Sequence, residues 1–363
     1  MSNNNKAHIY ILSGGIGSRF WPKSRKQYPK QFIDILGLGK SLLQLTAERF
    51  TKIFGNENIY FITHKDYKPL IRQQIADIPE ANILCEPARR NTAPCIAYAA
   101  FKLCQQDPEG IMIIVPSDHL ILKEEEYISK ISEAIEFVKN NESLLTLGIK
   151  PTRPDTGYGY IHYTQSADAD IYPVVSFTEK PDKDTAQKYV NSGEYLWNAG
   201  MFIWKAKDIV DAFRNYEPEI YNIFEKGNDV YNTEDEAAYI DAVYQNSPDI
   251  SIDYAILEKA GNVYTLPVDI GWSDLGTWNS LHDIYESKDQ DKNALIAKHI
   301  YITDSENCMV SAPKNKLMVI KGLKDYIVVD DDDVLLIYPK KEEQEIKSVL
   351  KTLNGKTELE HFL

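Results

Sequence analysis

Five cations fall between Arg19 and Lys30, in a stretch that opens with three glycines, Gly14, Gly15 and Gly17. The segment reads Leu12-Ser13-Gly14-Gly15-Ile16-Gly17-Ser18-Arg19-Phe20-Trp21-Pro22-Lys23-Ser24-Arg25 and closes with Pro29-Lys30-Gln31-Phe32. No carboxylate occurs before Asp34, although the 363-residue chain is net −14. Glycines let backbone N–H groups approach a polyphosphate closely, and lysine and arginine neutralise it. Such a loop handles a nucleotide or a sugar phosphate. Two commoner phosphate signatures fail. After Gly15-Ile16-Gly17 the third glycine of a dinucleotide fingerprint is Phe20, and ahead of Gly39-Lys40-Ser41 the first glycine of a Walker A loop is Asp34.

A loop of this kind needs a strand before it and a sheet to present it. Residues 9–12 read as that strand. Onward from there strand and helix patterns alternate: a helix over 41–50 with Ser41 as N-cap, a strand over 58–63, and a helix over 93–105 capped by Thr92 with Pro94 in its first turn. The continuous apolar run 111–115 reads as a buried central strand. It ends in Pro116-Ser117-Asp118-His119, polar residues at the strand end where open α/β sheets bind ligands. The alternation predicts an α/β domain with a mostly parallel sheet. The middle is mixed, with helices over 124–140, 185–192 and 208–213 and strands over 144–147, 174–177 and 201–204. Past Asn293 short β runs follow one another at 299–302, 308–311, 316–321, 326–329 and 334–338, before a charged helix over 341–353. This predicts a small all-β module resembling a few coils of a β-helix, so that residues 1–290 form the large domain and 291–363 the module. Residues 330–333 are four acids in a row, which fits either a metal site or a solvated turn between strands.

Apolar content of 43% and charged content of 26% are ordinary for a globular protein, so a packed core is expected. The acidic balance argues against nucleic acid or an anionic membrane as the main partner. No apolar run approaches the ~20 residues of a membrane span. Residues 1–6 lack an apolar signal core, which makes the cytoplasm the default location. Cys85, Cys95, Cys104 and Cys308 form no CxxC pair or zinc spacing and read as reduced thiols.

Seven blocks carry a resemblance. The glycine loop, Glu86-Pro87-Ala88-Arg89-Arg90-Asn91-Thr92-Ala93-Pro94, Pro116-Ser117-Asp118-His119, Gly157-Tyr158-Gly159-Tyr160-Ile161, Phe177-Thr178-Glu179-Lys180-Pro181, Trp197-Asn198-Ala199-Gly200-Met201-Phe202 and Gly271-Trp272-Ser273-Asp274-Leu275-Gly276 occur in the order seen in mannose-1-phosphate guanylyltransferases. The chain resembles that family of nucleotide-sugar pyrophosphorylases, which make GDP-mannose and diphosphate from GTP and mannose 1-phosphate. The likeness implies a nucleotide-diphospho-sugar transferase domain, Rossmann-like, with a mixed and mostly parallel sheet. Ile16, Ser18, Phe20 and Lys23 stand where Ser, Thr, Leu and Leu are common, and none of these changes removes a charge. Many relatives carry a further isomerase domain; the sequence has no room for one, so a single activity is expected.

The chemistry that the resemblance implies needs no general base, because a sugar phosphate with a second pKa of about 6 is already largely a dianion. Its problem is bringing an anion onto an anionic triphosphate, which calls for positioning and charge neutralisation. Arg19 suits the β- and γ-phosphates as a bidentate fork, Lys30 the reacting α-phosphate, and Arg25 serves as a helper. Backbone N–H groups around Gly14, Gly15 and Gly17 would hold the leaving diphosphate. Mg²⁺ is expected, and the resemblance places Asp118 and Asp274 at it. Guanine presents N1–H and N2–H₂ donors that Glu86 could accept, with Asn91, Thr92 and Ser117 supplementing and the Leu12 backbone reaching the base or ribose. For the sugar, Glu179 and Asn198 suit vicinal hydroxyls, Gly157 and Gly159 allow close backbone approach, and Lys180 suits the phosphate. Tyr158 and Trp197 fit stacking on the sugar or core packing equally, and Asp253 fits the sugar site or a helix start. Two alternatives stay open: the same chemistry on another hexose 1-phosphate and nucleotide, and an inactive subunit that senses sugar nucleotides. The β module leaves strand edges exposed, so a homodimer or higher homo-oligomer is expected.

Overall fold

The computed structural model covers residues 7–166 and 169–363 in describable form; residues 1–6, read above as lacking a signal core, lie outside the described residues. The chain forms two units, each gathered from separate segments. The first comprises Met1–Gly14, Ala47–Ser117 and Ile121–Trp272, the second Gly15–Thr46, Asp118–Leu120 and Ser273–Leu363. The chain therefore passes from one unit to the other inside three of the motifs, at Gly14/Gly15, Ser117/Asp118 and Trp272/Ser273.

The first unit is built on a nine-stranded sheet. Its strands are β1 (Ala7–Leu12), β2 (Ile59–His64), β3 (Ile83–Glu86), β4 (Ile111–Pro116), β5 (Leu144–Ile149), β6 (Gly159–Tyr163), β7 (Tyr172–Glu179), β8 (Tyr195–Lys205) and β9 (Val263–Val268). Their order is β3-β2-β1-β4-β8-β5-β9-β7-β6. The first four are parallel, as the alternation of strand and helix predicts, with Ile9 level with both Ile59 and Ile113. In β4 the run Ile111 to Val115 is buried throughout, as suits a strand held between β1 and β8 in the middle of the sheet. All four end at one edge, on Leu12, His64, Glu86 and Pro116, so the polar residues that follow are delivered together. The other half is mixed. The long strand β8 enters between β4 and β5 and runs antiparallel to both, and β6 pairs antiparallel with β7 and β8.

The helix Thr92–Gln106 packs its alanine-rich face into the core. Its cap is not Thr92 but Asn91, whose side chain accepts from Thr92 N at 3.0 Å. Asn91 has φ 62, a backbone setting that asparagine tolerates better than threonine. Ser41 does cap the helix Leu42–Phe54: its Oγ accepts from Gln44 N at 3.2 Å while Gln44 Oε1 accepts from Ser41 N at 3.0 Å.

In the second unit the short β runs become β10 (Ala294–Ile296), β11 (His299–Thr303), β12 (Met309–Ser311), β13 (Leu317–Lys321), β14 (Tyr326–Asp331) and β15 (Val334–Pro339). Ala294, Met309 and Ile327 lie level in the parallel ladder β10-β12-β14, and β11 pairs in parallel with β13. Parallel strands stacked at such short intervals are coils of a β-helix, as expected. β15 returns antiparallel to β14. The helix expected over 341–353 is in fact two pieces, a 3-10 segment Lys340–Glu345 followed by the α-helix Ile346–Leu353. Phe20 and Trp21 of the glycine loop join Leu275, Trp278, Met309, Ile327 and Ile346 in one core. The loop is thus rooted in the β module's own packing, which element order along the chain does not reveal. Among the described residues no helix is long and apolar enough to cross a membrane, and the four cysteines are unpaired.

Candidate active site

Apolar anchors hold the cationic loop. Phe20 packs against Trp278 with ring centroids 4.9 Å apart, Trp278 Nε1 donates to Trp21 O at 3.2 Å, and Trp21 Nε1 donates to Phe362 O at 2.8 Å. The backbone is cross-tied by Ser24 Oγ to Gly17 O at 2.7 Å, Gln31 Nε2 to Gly15 O at 2.9 Å and Lys30 N to Ile16 O at 3.1 Å. Gly17 has φ 69, and a side chain there would run into Lys30 Cβ. A side chain at Gly15 would meet nothing within 4 Å, so the space on that side of the loop is open.

Lys30 is 2% exposed. Its ammonium donates to Asp118 Oδ2 at 2.9 Å and to the Asp274 carbonyl at 2.8 Å. Asp274 Oδ1 accepts from Gly276 N at 3.0 Å, and Arg19 reaches the same turn, with Nη2 3.2 Å from the point where a Gly276 Cβ would lie. The second unit therefore gathers Arg19, Lys30, Asp118 and Asp274 from three chain segments. Burial works to raise the Asp118 carboxyl, but the charges of Lys30 and His119 outweigh it and leave it below its usual range. His119 is the member that the sequence did not single out; burial lowers it, against the pull of Asp118 and Asp274. The donor set fits a small divalent cation. Two carboxylates are hard oxygen ligands, and Asp118 Oδ2 already holds a cation, the Lys30 ammonium, at 2.9 Å. That is the pattern of Mg²⁺, which takes one or two carboxylates and fills its shell from water and phosphate.

Arg25 is the expected helper cation. Its fork is engaged inside the protein, with Nη1 2.8 Å from Asp333 Oδ2, Nη2 3.4 Å from Asp331 Oδ2 and Nε donating to Pro22 O at 3.1 Å. The acidic run ends β14 and makes the turn into β15, with Asp330 paired to Lys316 at 2.6 Å. Asp331 and Asp333 thus hold Arg25 of the cationic loop. Arg25→Ala should lower stability by about 1 kcal/mol, the order of a partly exposed ion pair, and change kcat by less than about threefold; denaturant titration and steady-state rates check this.

In the first unit Glu86 ends β3 and is 7% exposed. One of its oxygens, Oε1, accepts from the Tyr244 hydroxyl; the other, Oε2, lies 3.3 Å from where a Gly14 Cβ would stand. Burial pushes this carboxyl up to about 7, with the Tyr244 hydrogen bond and Arg89 pulling back. Since the unfolded chain loses this proton near 4.5 and the folded chain near 7, stability falls as pH rises across that window. Glu86→Gln should remove a decline of roughly 2 kcal/mol between pH 5 and 7.5, read by chemical denaturation at both pH values.

The other base candidates are used within the protein. Thr92 Oγ1 accepts from Ile252 N at 2.9 Å, Asn91 caps its helix, and the Leu12 carbonyl accepts from Ser117 N at 3.1 Å, which prolongs the β1–β4 pairing. Ser117 is itself 2% exposed.

The sugar candidates converge more closely. Gly159 lies level with Glu179 across β6 and β7, and a Cβ at Gly159 would strike Glu179 Oε2. Asn198 Nδ2 donates to Asp253 Oδ1 at 2.9 Å, while its Oδ1 accepts from Thr146 Oγ1 and Gly200 N, each at 3.1 Å. Burial and then Glu179 push Asp253 up to about 6, so it belongs to this cluster and does not merely open a helix. Lys180 pairs with Glu179, and Gly157 N donates to Asp155 Oδ1 at 2.9 Å. Tyr158 meets Trp197 and Trp272 edge-on at 5.0 and 5.3 Å, which makes it and Trp197 part of an aromatic cluster. Arg153, which the sequence did not point to, lies over Trp197 at 5.3 Å and donates to Tyr158 Oη at 3.3 Å.

Residues 9–291 match the nucleotidyl transferase family, and residues 297–353 match the mannose-phosphate isomerase/GMP-like β-helix domain family. Relatives include the alginate biosynthesis protein AlgA of Pseudomonas putida, 36% identical over 97% of this chain and 73% of its own length. A mannose-1-phosphate guanylyltransferase of Salmonella muenchen is 36% identical over 97% of this chain and 74% of its own. A crystal structure named as a mannose-1-phosphate geranyltransferase from Thermus thermophilus superposes with a TM-score of 0.87 at 28% identity, covering 96% of this chain and all of that one.

Proposed function

This chain belongs to the nucleotidyl transferase family, and from that premise we propose that it is a mannose-1-phosphate guanylyltransferase. GTP and α-mannose 1-phosphate give GDP-mannose and diphosphate. A phosphate oxygen of the sugar phosphate attacks the α-phosphorus of GTP; the bond from that phosphorus to the oxygen bridging to the β-phosphate breaks, and its electron pair leaves with diphosphate. The carrying observation is Lys30, a buried ammonium held 2.9 Å from Asp118 and 2.8 Å from the Asp274 carbonyl. A fixed cation of this kind stabilises charge at a reacting phosphate without reorganising. Arg19 and the backbone N–H groups of Gly14, Gly15 and Gly17 take the departing diphosphate. Asp118 and Asp274 would hold Mg²⁺, whose charge offsets that of the triphosphate when it is bound. Glu86 accepts from the guanine donor edge, with Ser117 supplementing it. Glu179 and Asn198 bind mannose hydroxyls, Gly157 and Gly159 allow close backbone approach, and Lys180 serves the sugar phosphate.

The family matches support taking residues 1–290 as the transferase domain and 291–363 as the β module. A cytoplasmic location agrees with free cysteines. Tyr301, Leu317 and Val319 stand exposed on β11 and β13, which supports self-association through the module. Light scattering at micromolar concentration should give at least a dimer mass; a monomer mass rejects that arrangement. The reaction itself is tested by diphosphate release with Mg²⁺ and mannose 1-phosphate, comparing GTP, ATP, UTP and dTTP, beside Asp118→Ala. Release with GTP alone, lost in the variant, is expected. No release with any nucleotide, despite binding of GTP, would point to a sensing subunit.

A further inference from the structure

Base choice has a component that no motif contains. Tyr244 lies 158 residues from Glu86 in sequence, just past the helix Glu236–Val243. It is 0% exposed, and its ring meets Phe224 edge-on at 6.0 Å. Its hydroxyl donates to Glu86 Oε1. Burial and the neighbouring Glu86 hold the phenol well above its ordinary pKa, so it remains a donor at every working pH.

The two oxygens of Glu86 therefore have different surroundings. Oε1 is taken by a rigid, fully packed partner. Oε2 is turned to Gly14, and the missing side chain there leaves that oxygen its space. We propose that Tyr244 is a positioning residue for base selection: by pinning Oε1 of Glu86 it aims Oε2 at the N1–H and N2–H₂ edge of guanine. This rests on the reading of Glu86 as the base acceptor. Above about pH 7, where Glu86 is ionised, adenine's N1 acceptor is repelled by a carboxylate oxygen held in that place, whereas an untethered carboxylate turns away from the mismatch. Selection of this kind depends on an acceptor that cannot move, because a site built for a hydrogen bond rejects a base only if its group stays in place.

The test is a cycle of Tyr244→Phe, Glu86→Gln and the double variant, with kcat/KM for GTP and for ATP and a melting temperature for each. Tyr244→Phe should lower the GTP-over-ATP ratio about tenfold, through a higher KM for GTP with kcat little changed. In the Glu86→Gln background the same change should leave the ratio where it is, because Tyr244 acts only through Glu86. A Tyr244→Phe ratio equal to that of the unaltered protein, beside a collapsed ratio in Glu86→Gln, overturns the role of Tyr244 and spares that of Glu86. An unchanged ratio in Glu86→Gln overturns the base reading itself. Should Tyr244→Phe not fold, Gly14→Ala reads the same geometry from the other side. A Cβ pressing on Oε2 lowers the ratio if the aim of that oxygen sets it, and an unaltered ratio overturns the proposal.

Discussion

Replacing Lys30 with methionine should lower kcat by about 10³-fold while the protein stays folded, since a single preorganised donor at a developing charge is worth ~10²–10³ in rate and a full cation more. The fold is expected to survive because the group left behind can be rehydrated. Asp118 would lose its ammonium partner, but its side chain is 32% exposed, and water can reach it. The cost of that loss should be nearer the ~1 kcal/mol of an ordinary hydrogen bond than the 3–5 kcal/mol of a stranded buried charge. Methionine keeps the apolar stem that lies beside Phe20, whose ring centroid is 5.5 Å from the lysine Nζ. Steady-state rates with both substrates saturating, beside a melting curve, separate the two effects. A variant that melts like the unaltered protein yet turns over within tenfold of it would remove Lys30 from the chemistry.

Gly17→Ala should be the more damaging of two changes that look equivalent in sequence. Gly17 adopts φ 69, where an L side chain costs ~1–2 kcal/mol, and its new Cβ would collide with Lys30 Cβ, which belongs to the stiff part of that side chain. Overpacking adds ~1–3 kcal/mol, so a total of about 2–4 kcal/mol and a fall of several degrees in melting temperature are expected. Relieving the collision shifts Lys30, so the rate falls by ~10² or more as well. Gly15→Ala is the control, because a Cβ there meets nothing within 4 Å. Its melting temperature should stay within about a degree, and any loss of rate then reports a ligand lying close over the loop. Equal destabilisation by both alanines would refute the packing argument.

The motif blocks were legible because their chemistry is local. Glycines beside cations, and polar residues after the apolar run of β4, keep their meaning whatever surrounds them. The β module was legible through its short β runs. The Arg25 partners were hidden for the same local reason: a guanidinium in a cationic loop looks available until Asp331 and Asp333 arrive from positions 306 and 308 residues further along the chain. Asn91 and Thr92 have structural partners that the sequence left open, because a side chain that starts a helix and one that binds a ligand are the same types of residue.

The sequence by itself determined the family, the α/β domain with its β-helix module, and the chemical character of the loop, since periodicity, composition and motif order are properties of neighbours along the chain. Only the tertiary structure decided which cation is held at the acids, which is tied up in a turn, and which glycine has no room for a methyl group. It alone brought Tyr244 to Glu86 and Asp253 to Asn198. Partnership of that kind depends on distance in space. A carboxylate's charge, aim and ligand follow from whichever group the fold sets within about 3 Å of it, and no spacing along the chain encodes that.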